Sequence, residues 1–325
     1  MTPKATAKKA AVKKQPAPAA AAPKKKPAAP AAAAPKTRRE QLAATPSVAK
    51  VDRVALERAS ETEGVKQLLT WDDRFYEVPH ATLKGEVDYY ISVTSFLGAT
   101  KPASGALEDF KMKQAEEIGR EQAQYQLFLA GQHGTSVHDA IYRHNMGEVL
   151  EWKRLVLDPL TGENIYINKY DDFEWKRIAR YMQWEEQYMP EFFFLEKKLY
   201  SHKYRVAGTS DGGCKLAMLD GKKYIVDWKI SKDTYEDYLM QAAFYFQMWF
   251  EMTGELLDGC AVLALGADRN KAGWKCKVIE RDETKMFLNQ AINRLAVYRD
   301  MKGDDFAPKR DLLPISFPGR PAAIK

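Results

Sequence analysis

The sequence predicts an α/β domain with a central mixed β-sheet flanked by helices. Three observations carry that expectation. Helix-like and strand-like segments interleave along the chain instead of segregating: three helices, three strands, a helix, two strands and a last helix. The strand-like run "KKYIVDWKIS" is apolar enough to sit centrally, yet carries an acid and a base, Asp227 and Lys229. Composition is that of a soluble globular protein, with 45% hydrophobic and 29% charged residues in a chain of 325.

Residues 1–50 are mostly Ala, Lys and Pro, with ten Lys and two Arg against the single acid Glu40. Prolines block a continuous helix, and too few large apolar groups are present to offset the entropy of ordering. A disordered basic arm that tethers the protein to a polyanion, nucleic acid first, is the expectation. The overall net charge of +6 therefore belongs to the arm, which contributes +11; the remaining residues sum to −5. The folded domain is expected over 51–303, with a Pro-containing tail over 304–325.

"DDRFYEVPHATLKGEVDYYISVTSFLGATKP" has aromatic and β-branched runs broken by Gly and Pro, which predicts short strands and a loop. A helix follows over 106–131, ending at Gly131, and another over 134–145, with Thr135 or Ser136 as its cap. An amphipathic helix over 171–190 is stopped by Pro190. Strands are expected at "EFFFLEKKLYS", "YRVAGTSDGGCKLAM" and "KKYIVDWKIS", with Asp220-Gly221 turning the last two into a hairpin. A long helix over 234–254, strands near 259–265 and 274–281, and a helix over 283–301 complete the domain. No internal repeat is present.

Several classes are excluded at this stage. No stretch approaches the eighteen apolar residues of a membrane span, so none is expected, and no signal-peptide core opens the chain. The three cysteines, Cys214, Cys260 and Cys276, form no CxxC pair. Neither a zinc finger nor a disulfide framework is indicated, and a reducing intracellular compartment is the simplest reading. No Walker A motif is present, so no ATP motor is expected.

Alternation places Tyr224, Val226, Trp228 and Ile230 on one face of their strand and Ile225, Asp227 and Lys229 on the other. An unpaired buried charge is costly, so the second face must be solvent or a site that uses both groups. The acid-x-Lys pattern alone is weak, because it occurs eight times in the chain. Asp211 adds weight: the hairpin can bring it beside Asp227. Two carboxylates and a lysine on adjacent strands make a hard-cation site suited to Mg²⁺ or Mn²⁺ and phosphate oxygens.

"GTSD", ending at Asp211, and "DWK", from Asp227 to Lys229, resemble the two acidic motifs of the PD-(D/E)XK nuclease superfamily. "QAAFY", with Gln241 and Tyr245 one helical turn apart, and "HGTSVHDAIY", with His138, resemble the RecB-like exonuclease branch. "YYISVTSFLGATKP" is similar to the entry segment of mitochondrial genome maintenance exonuclease and its phage relatives, though Ile91 stands where relatives often have Pro. The resemblance covers about residues 70–300. It implies a restriction-endonuclease-like core and a Mg²⁺-dependent DNA exonuclease, Mn²⁺ substituting, that acts from ends on single strands. A structure-specific endonuclease and a non-catalytic nucleic-acid-binding recombination partner are the alternatives. It also implies metal held by Asp211, Asp227, the Trp228 carbonyl and His138, with Lys229 assisting the water and Gln241 and Tyr245 supporting the site. Glu196 is expected either to join the metal or to pair with a neighbouring lysine. Three scattered cysteines cannot supply the four-cysteine iron–sulfur cluster of some members. DNA, with replication or recombination proteins, is the implied partner. The implied setting is the cytoplasm of a bacterium or phage-infected host, or else the mitochondrion.

Overall fold

The computed structural model describes residues 52–69, 73–102, 112–113 and 115–303. The basic arm, the C-terminal tail and the start of the helix expected from residue 106 lie outside the described residues.

Among the described residues ten strands form: β1 (Lys66–Leu69), β2 (Arg74–Pro79), β3 (Val87–Ser92), β4 (Lys153–Leu157), β5 (Asn164–Asn168), β6 (Pro190–Ser201), β7 (Val206–Leu216), β8 (Lys222–Lys229), β9 (Gly259–Ala264) and β10 (Lys275–Glu280). The helices used below are α1 (Arg53–Ser60), α2 (Val93–Ala99), α3 (Arg120–Asn145), α4 (Asp172–Tyr188), α5 (Glu236–Thr253) and α6 (Arg281–Lys302). Eight strands make one mixed sheet in the order β1-β2-β3-β7-β8-β9-β10, with β6 also paired to β7. The β3–β7 and β8–β9 pairs are parallel.

Period-two alternation sets the layers. Ile225 on β8 and Cys260 and Val262 on β9 face a core built with α2, α5 and α6. Tyr224, Val226 and Trp228, with Ala261 and Leu263, face the opposite core with α3 and α4. The expected α/β architecture of a mixed sheet between helices is therefore the one observed. Trp228 is held from behind by the rings of Tyr181 and Phe192. β7 and β8 form the expected hairpin, but not through a two-residue turn at Asp220-Gly221. Leu216 pairs with Lys222, and the five residues between them make a 3₁₀ turn over Ala217–Leu219 that closes on Asp220 (φ 57°) and Gly221 (φ 69°), both left-handed. Pro190 stops α4 as expected, with Met189 in the left-handed conformation before it. Among the described residues, no helix is long and apolar enough to cross a membrane.

Three expectations need correction. Residues 120–145 form one continuous helix, not two separated at Gly131 and Gly134. Thr135 is not a cap; its hydroxyl donates within the helix to the Gly131 carbonyl at 3.2 Å. Each glycine costs a helix interior about 1 kcal/mol, but Val137, Ala140 and Ile141 anchor the helix on the sheet and outweigh that cost. Next, the stretch expected to hold short strands and a loop does so, but its "VTSFLGA" also forms a helix, α2, that was not expected. Ser92 caps α2 by accepting from the Thr94 amide at 3.2 Å. Finally, β4 and β5 form a separate hairpin whose residues are nearly all exposed, in a stretch where no strands were expected.

Candidate functional site

The site lies where the sheet forks. β6 pairs with β7 along its whole length, from Val206 to Leu216. The other edge of β7 is shared. β3 takes Val206 and Ala207, and β8 takes Gly212 to Leu216. Among the described residues, no strand pairs with Gly208–Asp211 on that edge. Inside the fork, a side chain replaces the missing ladder: Asp211 Oδ2 accepts from the Trp228 amide at 2.9 Å. The register Gly212↔Val226 sets Asp211 level with Asp227.

Asp227 is completely buried, at 0% exposure. Lys229 Nζ stands 2.9 Å from both its carboxylate oxygens and donates to Oδ1. The buried Oδ2 accepts no hydrogen bond. Its alternation-mate Ile225 faces the apolar core, so this face of β8 passes from core to site within one strand. Burial pushes Asp227 up, and although Lys229 opposes this, it settles at about 6. Burial would lower Lys229, but Asp227 and then Asp211 outweigh it and hold the ammonium charged.

His138 comes from α3, with Nδ1 3.4 Å from Asp211 Oδ1. Burial would lower its pKa, and the Asp211 charge and hydrogen bond raise it instead. Burial likewise tends to raise Asp211, but His138, Lys229 and the Trp228 amide bring it below the usual carboxylate range. Glu196 sits level with Asp211 on β6 with φ of 46°, a left-handed conformation that costs a non-glycine residue about 1–2 kcal/mol. Burial, then the Asp211 charge, pushes Glu196 up to about 8.

Ligand atoms of His138, Glu196 and Asp211 lie within 4.8 Å of one another, close enough for all three to hold one cation. These residues fit a divalent metal, and Asp227 Oδ2, which accepts no hydrogen bond, is ion-paired with Lys229. Glu196 thus stands in this convergent trio, while Asp227 stands behind it, locked to Lys229. A cleft of about 510 Å³ opens over the cluster, lined by His138, Glu196, Asp211, Lys229, Gln241 and Tyr245, among others.

Gln241 and Tyr245 are both buried on α5, and Gln241 Nε2 donates to the Tyr245 hydroxyl at 2.9 Å. Gly208 explains how the ring reaches the cleft. A Cβ there would lie 2.6 Å from Tyr245 Cε1. Gly208→Ala should therefore displace Tyr245 and destabilise the fold by about 1–3 kcal/mol, the usual cost of overpacking. An unchanged melting temperature would show that the ring has room to move.

Sequence reasoning missed Gln67, Arg74 and Thr94, which line the opposite side of the cleft. They lie far from the acidic motifs in the chain, and no local pattern joins them. It also missed a second convergent group, His133, Asp171 and Glu174. There the acids form the capping box of α4, each accepting from the other's backbone amide. Those bonds account for their proximity. No protein-family model matches the chain, and no curated protein matches it.

Proposed function

We propose that the chain is a divalent-metal-dependent nuclease of the PD-(D/E)XK type that hydrolyses phosphodiester bonds in DNA, acting from ends on single strands. One observation carries the reading: three ligand atoms converge beside a buried Asp–Lys pair at the floor of an open cleft. A structural ion pair needs no cleft, and a lone acidic cluster needs no lysine locked beside it.

His138, Glu196 and Asp211 would hold the cation, with Asp227 as a further donor. Bound there, Mg²⁺ or Mn²⁺ would supply Lewis acidity toward a phosphate oxygen. The imidazole in the set favours Mn²⁺ more than an all-oxygen site would. Lys229 lines the cleft as a charged donor whose position Asp227 fixes. It orients the attacking water and stabilises negative charge developing on the phosphate. Gln241 and Tyr245 form the wall against which the strand lies.

The test uses end-labelled linear single- and double-stranded DNA and a covalently closed single-stranded circle, with Mg²⁺, Mn²⁺ or EDTA. Loss of label from linear single strands, dependent on metal, with the circle intact, is the expected result. Cutting of the circle would move the reading to an endonuclease. Intact DNA in every lane would overturn it.

A further inference from the structure

The cleft has two unlike walls. One carries the acids: among the described residues, Asp139, Glu196 and Asp211 are the carboxylates that line it, together with His138 and Lys229. The other, built from β1, β2 and the start of α2, presents Gln67, Arg74 and Thr94 and no carboxylate. Arg74 is exposed, and among the described residues it makes no ion pair, although the opposite wall is acidic.

Its side chain reaches the Tyr76 hydroxyl, by charge and by a hydrogen bond. The Tyr76 hydroxyl, which Arg74 influences electrostatically, lies 3.0 Å from Thr209 Oγ1. The same hydroxyl donates to Gln67 Oε1 at 3.4 Å, which leaves the Gln67 amide nitrogen as a donor for something else. Thr94 Oγ1 lies 2.7 Å from Ser92 Oγ, and its position is fixed by that contact. A forked cation flanked by an amide and a hydroxyl, with no acid on its wall, is the recognition chemistry of a phosphate. At about 510 Å³ the cleft has room for far more than one phosphate group.

We propose that Arg74, with Gln67 and Thr94, forms a second phosphate subsite across the cleft from the acidic cluster. The substrate is then an oligonucleotide spanning at least two phosphates, and an isolated phosphodiester is a poor one. This rests on the nuclease reading above.

The experiment compares wild type with Arg74→Ala on two substrates: a short single-stranded oligonucleotide, and bis(4-nitrophenyl) phosphate, which has one phosphate only. The loss of kcat/KM on the oligonucleotide should exceed the loss on the small diester by about tenfold, and should sit mainly in KM. Equal losses on both would overturn the subsite. Oligonucleotide binding is measured in parallel by fluorescence anisotropy across a salt series without catalytic metal. One lost phosphate contact should reduce the slope of log K against log salt by about 0.7. If wild type hydrolyses neither substrate, the nuclease reading fails, and the salt slope alone judges the subsite. An unchanged slope in Arg74→Ala then removes it.

Discussion

Lys229→Met is expected to lower phosphodiester hydrolysis by about 10²–10³-fold, the usual loss on removing one positioned electrostatic donor, and to destabilise the fold. The second effect follows from burial. Asp227 has no exposed surface and depends on Lys229 for its hydrogen bond. Removing one partner of a buried ion pair costs about 3–5 kcal/mol, which in a domain of this size is a fall of roughly 10 °C in melting temperature. The deficit should depend on pH. Burial already raises Asp227 to about 6 with Lys229 in place, and without the ammonium it rises further. A carboxyl with a raised folded pKa contributes stability below its unfolded value, near 4, and loses it as pH rises through the folded value. The variant should therefore fall further behind wild type between pH 5 and pH 8. Adding Asp227→Asn should restore much of the stability and none of the activity. Melting curves of the three proteins across that range decide it; a deficit independent of pH would mean Lys229 packs there without neutralising Asp227.

Glu196→Gln should uncouple metal binding from proton release. At pH 7 the metal-free carboxyl, raised to about 8 by burial and the Asp211 charge, holds its proton. Metal must displace it. Wild type is expected to release the Glu196 proton, and with it that of His138, whose pKa Asp211 raises, when Mn²⁺ binds near neutrality, read by calorimetry in buffers of different ionisation enthalpy. Glu196→Gln should release markedly less and bind at least about tenfold more weakly, the loss expected on removing a metal ligand or its support. Without metal the sign reverses. The stability that neutral Glu196 contributes is present below its unfolded pKa and lost as pH rises through about 8. The glutamine variant has no such loss, so it should melt above wild type at pH 8.5 in EDTA. With Mn²⁺ at a hundred times Kd, wild type should gain about 2.7 kcal/mol and overtake it. Equal Mn²⁺-induced shifts in both proteins would take Glu196 out of the metal set.

The parts of the site legible in the sequence were those written in short-range pattern. Alternation placed Trp228 against one core and Asp227 with Lys229 on the other side. Asp220-Gly221 marked a reversal, which the structure makes through a longer 3₁₀ turn, and the hairpin sets Asp211 level with Asp227. A one-turn spacing on α5 brought Gln241 to Tyr245. What pattern did not reveal depends on distant neighbours. The glycines of α3 read as a break because propensity is local, whereas Val137 and Ile141 hold the helix through contacts with the sheet. Glu196 looked like any acid in a run of lysines, and its left-handed φ has no signature in the residue type. Arg74 reaches the cleft only because β2 and β3 fold beside β7, a pairing that no motif announces.

The fork has a consequence for how the sheet holds together. Among the described residues, Gly208–Asp211 have a strand partner on the β6 edge only, and buried peptide groups do not persist unsatisfied. Side chains span the other edge: Asp211 accepts from the Trp228 amide on β8, and the Tyr76 hydroxyl of β2 meets Thr209. Where a ladder would share the load among many backbone bonds, this stretch of the sheet is joined by single side chains, so one substitution can part it.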